Sequence, residues 1–106
     1  MLKRHAEALH ELTAEEFNEL AQIQAKTIRL LYEELRGEKE YVSCYAEKEH
    51  FQHIHFHIFA RPSNFPDELK GGGSFALLKV SPEEAVASNE IISFCGLLRD
   101  KFAYAP

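Results

Sequence analysis

Residues His53-Ile54-His55-Phe56-His57-Ile58-Phe59 alternate an imidazole with a bulky apolar side chain three times over. Strict period-2 alternation is the pattern of a β-strand whose two faces meet different surroundings. Such a strand carries all three imidazoles on one face, about 6.6 Å apart along its axis, with Ile54, Phe56 and Ile58 on the other. The rest of the chain must supply a surface on which the apolar face closes. The spacing predicts a strand over roughly 52–60, with function on its histidine face.

The chain has 106 residues, which reads as one domain over 1–106. A globule of that size buries about 65% of its unfolded surface, enough for one core without disulfides. No apolar run approaches the roughly 18 residues of a membrane helix, and Met1-Leu2-Lys3-Arg4-His5 lacks the apolar core of a signal peptide, so no membrane association and a cytoplasmic location are expected. Cys44 and Cys95 show neither metal-ligand nor redox spacing and read as buried free thiols. A net charge of −5 argues against a nucleic-acid polymer, whose phosphates require clustered Lys and Arg. A small anionic ligand is compatible with it, because a local site can be positive inside an acidic protein.

Thr13-Ala14-Glu15-Glu16 reads as a capping box, with Leu12 and Phe17 placed for a hydrophobic staple. Phe17, Leu20, Ile28, Leu31 and Leu35 recur at helical spacing, so a helix is expected from about 14 to 36, stopped by Gly37. Tyr41 to Ala46 is aromatic and β-branched and reads as a strand, paired with the histidine strand in an antiparallel hairpin through a turn at 47–50. Pro62, Pro66 and Gly71-Gly72-Gly73 punctuate a loop, and Gly71-Gly72-Gly73-Ser74 lacks the lysine and spacing of a P-loop, so it reads as a flexible connector. Phe75 to Leu78 is a short apolar run of unassigned type. Ser81-Pro82-Glu83-Glu84 signals a second helix, continued by Ile91, Cys95, Leu98 and Phe102 to about 103. The fold class expected is therefore α+β: a small antiparallel sheet with a long helix packed on it and a carboxy-terminal helix.

Four chemistries are open to three imidazoles on one strand face. The bland one is surface or hydrogen-bonded histidine, but clustering three such groups costs stability unless something uses them. Zinc can be shared by two histidines of one face; the outer two of three lie about 13 Å apart along the axis, too far for a single tetrahedral centre without bending. A neutral imidazole is also a competent nucleophile towards phosphorus, with a neighbouring ring to protonate the leaving group or set the tautomer. A binding module would use the same residues without turnover.

The same seven residues resemble the signature of the histidine-triad superfamily, three histidines separated by hydrophobic residues, followed here by Ala60-Arg61-Pro62. Lys3-Arg4-His5-Ala6 is similar to the segment before that family's long helix, Glu11-Leu12-Thr13 to its beginning, and Tyr41 to Tyr45 to its central strand. Phe65 to Gly71 with Phe75-Ala76-Leu77-Leu78 resembles a tail of a bacterial branch that includes dinucleoside polyphosphate hydrolase-like members.

The resemblance implies a nucleotide hydrolase or transferase acting at an α-phosphate, with a purine nucleotide the expected substrate. It implies that His55 attacks phosphorus and carries a covalent nucleotidyl group, that His53 orients His55, that His57 contacts the phosphate and the departing group, and that His5 lies near the triad. No metal and no cofactor are implied, and the implied assembly is a homodimer whose central strands join. Two departures accompany it. Where much of the family has Gly-Gln and then Ser or Thr before the triad, Lys48-Glu49-His50 stands here, with His50 the substitute phosphate contact. The family's preceding helix and strands, which carry much of the nucleoside pocket, have no counterpart before Lys3, so a shortened amino terminus is expected.

Overall fold

The amide hydrogens at a helix start have no partner within the helix, and here both sides of a capping box supply them. Thr13 Oγ1 accepts the Glu16 N–H at 3.1 Å, and the Glu16 carboxylate accepts the Thr13 N–H at 2.9 Å. The computed structural model, which describes residues 1–104, accordingly starts helix α1 at Ala14 and runs it to Leu35. Leu12 turns into the core while Phe17 stays 44% exposed. The end of α1 differs from expectation. The residue in the left-handed region is Arg36 (φ 50°), whose N–H bonds to the Tyr32 carbonyl at 2.9 Å. Gly37 is needed for a different reason: a Cβ there would lie 2.9 Å from the Arg61 carbonyl oxygen, where the chain leaves the helix flush against the sheet.

Arg4 holds the same Glu16 carboxylate through Nε at 3.2 Å and a terminal nitrogen at 2.8 Å, tying the amino-terminal strap to α1. The hydrogen bond from Arg4, then that from the Thr13 amide, lowers the Glu16 pKa from 4.5 to about 2. The unfolded chain therefore takes up this proton first as pH falls. The contribution of Glu16 to stability is complete above about pH 4.5 and lost by about pH 2. Glu16→Gln is expected to flatten the acid limb of the stability curve between those values, measured as urea midpoint against pH.

Strands β1 (Lys39–Ser43) and β2 (His57–Arg61) pair antiparallel, with Tyr41 opposite Phe59 and Ser43 opposite His57. The hairpin is the one expected, but β1 starts earlier and β2 later. Residues 44–56 form the connection, so of the three alternating histidines only His57 lies in a strand. Two local features account for this correction. Ala46 (φ 51°) and the tight turn at 48–51, closed by Phe51 N–H to the Lys48 carbonyl at 2.8 Å, bend the chain away from β1. Residues 53 and 54 then bond the amino-terminal strap instead: the Ile54 N–H donates to the Ala6 carbonyl at 2.8 Å.

That bond lies at the core. Ile54 and Ala6 are each 1% exposed and close on Ala46, with Leu2, Leu12, Cys44 and Phe56 packed around them. Helix α1 lies on β2, and α2 (Ser88–Tyr104) lies on α1, joined by Lys101 to Glu34 and by Lys26 Nζ 4.3 Å over the Phe102 ring. The second helix starts later than expected. Ser81 to Ala85 form only a turn, closed by the Glu84 and Ala85 amides on the Ser81 carbonyl, and the first residue of this segment to turn inward is Phe94. Leu98 and Phe102 of the expected stripe turn inward, Ile91 and Cys95 do not, and Cys44 is half-buried; both thiols are free.

The glycine connector is also ordered, as a 3-10 turn at Asp67–Leu69 followed by a 3-10 segment over Gly71–Lys79. Gly71 has φ +61°, and a Cβ at Gly73 would lie 2.3 Å from the Glu68 carbonyl oxygen, so glycine is what lets these turns stack closely. The architecture is mixed helix and sheet: a two-stranded antiparallel sheet with a long helix packed on it and a second helix behind. No described helix is long and apolar enough to cross a membrane.

Candidate functional site

Each ring nitrogen of His53 is occupied by main chain. Nε2 lies 2.7 Å from the Leu2 carbonyl, which can only accept, so Nε2 carries the hydrogen. Nδ1 then accepts the Ala6 N–H at 3.1 Å. The neighbouring Ala6 carbonyl already takes the Ile54 amide. His53 is thereby a clamp on the amino-terminal strap. The ring of His5 stacks on it, centroids 5.1 Å apart and planes 19° apart, while its Nε2 lies 3.6 Å from the Glu7 carboxylate.

His55 is set differently. Its Nδ1 lies 2.8 Å from the His53 carbonyl, so Nδ1–H donates there and the lone pair is on Nε2. The contact that holds the His55 ring therefore comes from the His53 main chain and not from its imidazole. A carbonyl leaves no signature in a sequence, which is why only the backbone path could reveal it. The His57 ring stands edge-on to His55 at 5.1 Å and 75°, and edge-on to Phe75 at 6.0 Å and 78°.

The three imidazoles divide between two hollows. His53 and His55, with His5, Glu7, His50 and Phe51, line a cleft of about 320 Å³. His57 lines a second groove of about 540 Å³ over the sheet. Four of the five expected site histidines thus meet around one cleft, and His57 stands at the boundary with the other hollow. Among the described residues no group of three or more His, Cys, Asp or Glu side chains is arranged to hold a metal ion.

His50 reaches this cleft at a cost. It is the third residue of the 48–51 turn with φ 69°, a conformation that favours glycine, and its side chain is 83% exposed, 3.6 Å from the Glu49 carboxylate. A non-glycine residue in the left-handed region costs about 1 kcal/mol. His50→Gly is therefore expected to raise stability by up to that amount, read as melting temperature. Arg61, at the end of β2, is 4% exposed and committed to the fold, donating to Glu38 Oε1 at 3.0 Å and the Pro62 carbonyl at 3.1 Å. Its Nε is buried without a partner.

Compared with family models, with curated proteins and with solved structures, the chain finds no match. What the site can do therefore rests on its own geometry: an imidazole fixed in one tautomer, with its reactive nitrogen free, beside a second imidazole.

Proposed function

We propose that this is a histidine-triad nucleotidyl hydrolase or transferase with His55 as nucleophile. The observation that carries the reading is the His55 Nδ1–H bond to the His53 carbonyl, which in the neutral ring puts the lone pair on Nε2, where attack on phosphorus requires it. The Nε2 lone pair forms the N–P bond to the α-phosphate as the bond from phosphorus to the leaving group breaks. His57, 5.1 Å away, is near enough to protonate the departing oxygen or nitrogen once it is protonated itself. Water then attacks the same phosphorus as it passes a proton to the now neutral His57, the N–P bond breaks with its electron pair returning to His55 Nε2, and a nucleoside monophosphate is released. Nucleoside phosphoramidates, nucleoside phosphates and dinucleoside polyphosphates all present that bond. On this reading His5 and His50, which line the same cleft as His55, flank the path of the phosphates.

A second reading, a nucleotide-binding module with weak turnover, is favoured by the exposure of His57, since a site open to water gains less from its dipoles. Purified chain is to be incubated with adenosine phosphoramidate and a diadenosine polyphosphate beside His55→Ala. Turnover absent from the variant supports the enzyme. Binding of adenosine monophosphate with no product above the variant supports the module. The proposed molecule is a cytoplasmic homodimer.

A further inference from the structure

The groove over the sheet is not absorbed by the chemistry of His55. Antiparallel pairing of Tyr41 with Phe59 and of Ser43 with His57 puts these four side chains on one face. The Tyr41 and Phe59 rings stack, centroids 5.9 Å apart and planes 15° apart, making a flat aromatic floor. Phe75, on the 3-10 segment, forms a wall. It meets Tyr45 edge-on at 5.6 Å and 69°, and meets His57 edge-on as well. The wall is well founded, because its neighbour Ser74 is 7% exposed and Gly73 abuts the Glu68 carbonyl.

The volume of about 540 Å³ lies within the range of small-molecule sites. Its charge also selects. No Lys or Arg lines it, and Glu40, its one charged lining residue, alternates with Tyr41 and so faces away from the aromatic floor, which leaves no counter-charge for phosphate and a surface suited to an uncharged flat ring. The donors to phosphate stand at one end: the Ser43–His57 rung lies about 7 Å along the sheet from the Tyr41–Phe59 rung, with His55 next. That order, flat aromatic floor, hydroxyl, imidazoles, is the order of base, sugar and phosphate in a nucleotide.

We infer that this groove is the base subsite, stacking the purine of a nucleoside phosphate on Tyr41, Phe59 and Phe75 so that its α-phosphate reaches His55. The assignment rests on the reading of His55 as nucleophile. It puts recognition of the base in the sheet face and the 3-10 segment, with the histidine cleft left for the phosphates beyond the α-position.

The chain has no tryptophan, and two of its four tyrosines, Tyr41 and Tyr45, line the groove, so the part of tyrosine emission lost in Tyr41→Phe and Tyr45→Phe reports on it. Adenosine and adenosine monophosphate are expected to quench that part saturably, ribose 5-phosphate not. Phe75→Leu is expected to weaken adenosine binding about ten-fold or more, as loss of a stacking ring does, and to raise KM rather than lower kcat. Phe75→Tyr, which keeps the ring, should restore both, with circular dichroism melts checking the fold of each variant. Equal adenosine affinity in Phe75→Leu and native chain, or quenching by ribose 5-phosphate as strong as by adenosine monophosphate, would overturn the assignment. So would quenching that disappears as protein concentration rises, which gives the groove to a second copy. Ring-dependent binding without turnover sinks the nucleophile and keeps the subsite; turnover indifferent to Phe75 does the reverse.

Discussion

Hydrolysis of adenosine phosphoramidate is expected to fall by about 10³-fold or more in His55→Ala, equivalent to about 4 kcal/mol of transition-state stabilisation. The size follows from what is removed. Alanine deletes the atom that bonds to phosphorus, so the two-step route closes and only direct attack by water is left. His57→Asn should cost less, about 10²-fold, and least for substrates whose leaving group needs no proton. His53→Ala retains the carbonyl that holds His55 Nδ1–H but loses both ring contacts to the strap. Its loss should therefore appear mainly in stability and only secondarily in kcat. Acid-quenched reactions with labelled nucleotide separate these cases. Native chain should retain label on protein, and a His55→Ala variant that retained equal label would transfer the nucleophile's role to another residue.

Local chemistry explains which parts of this architecture were legible in advance. The start of α1 depends on Thr13 and Glu16, three residues apart, and such short-range devices survive translation from pattern to structure. The antiparallel hairpin was legible as well, from two β-rich segments, yet its register was not. Ile54 pairs with Ala6, a residue 48 positions earlier, and a competing long-range bond of this kind has no periodicity to betray it. The same bond explains why His53 and His55 left the predicted strand. Around the site, the three histidines were visible as residue types, while their division between two hollows was not. It depends on the bend at Ala46 and on Phe75, which reaches His57 from a segment whose glycines look like a connector until Gly73 is seen against the Glu68 carbonyl.

Ile54→Ala is expected to destabilise the chain by about 2–5 kcal/mol, whereas Ile54→Val should cost about 0.5–1.5 kcal/mol. Ile54 is the largest side chain that is fully buried, and Ala6 and Ala46, its buried neighbours, are too small to fill the space it would vacate. Its position makes the loss functional too. It sits between His53, which holds the strap, and His55, the proposed nucleophile, so a cavity there loosens the Ala6 bond and the main chain whose His53 carbonyl orients the His55 ring. Against the 5–15 kcal/mol of an ordinary domain such a loss leaves little. The margin depends on what covers the rest of the surface. The accessible area is 8234 Å², against about 6,000 Å² for a compact monomer of this length. Val42, Tyr45, Ile92 and Leu97 are among its apolar contributors, each at least 40% exposed. Under the proposed homodimer, part of that area is buried by a second copy, and the melting temperature of Ile54→Ala should rise with protein concentration. A melting temperature independent of concentration over a hundred-fold range would instead assign the whole stability to the single chain, and the variant should then be largely unfolded at 25 °C.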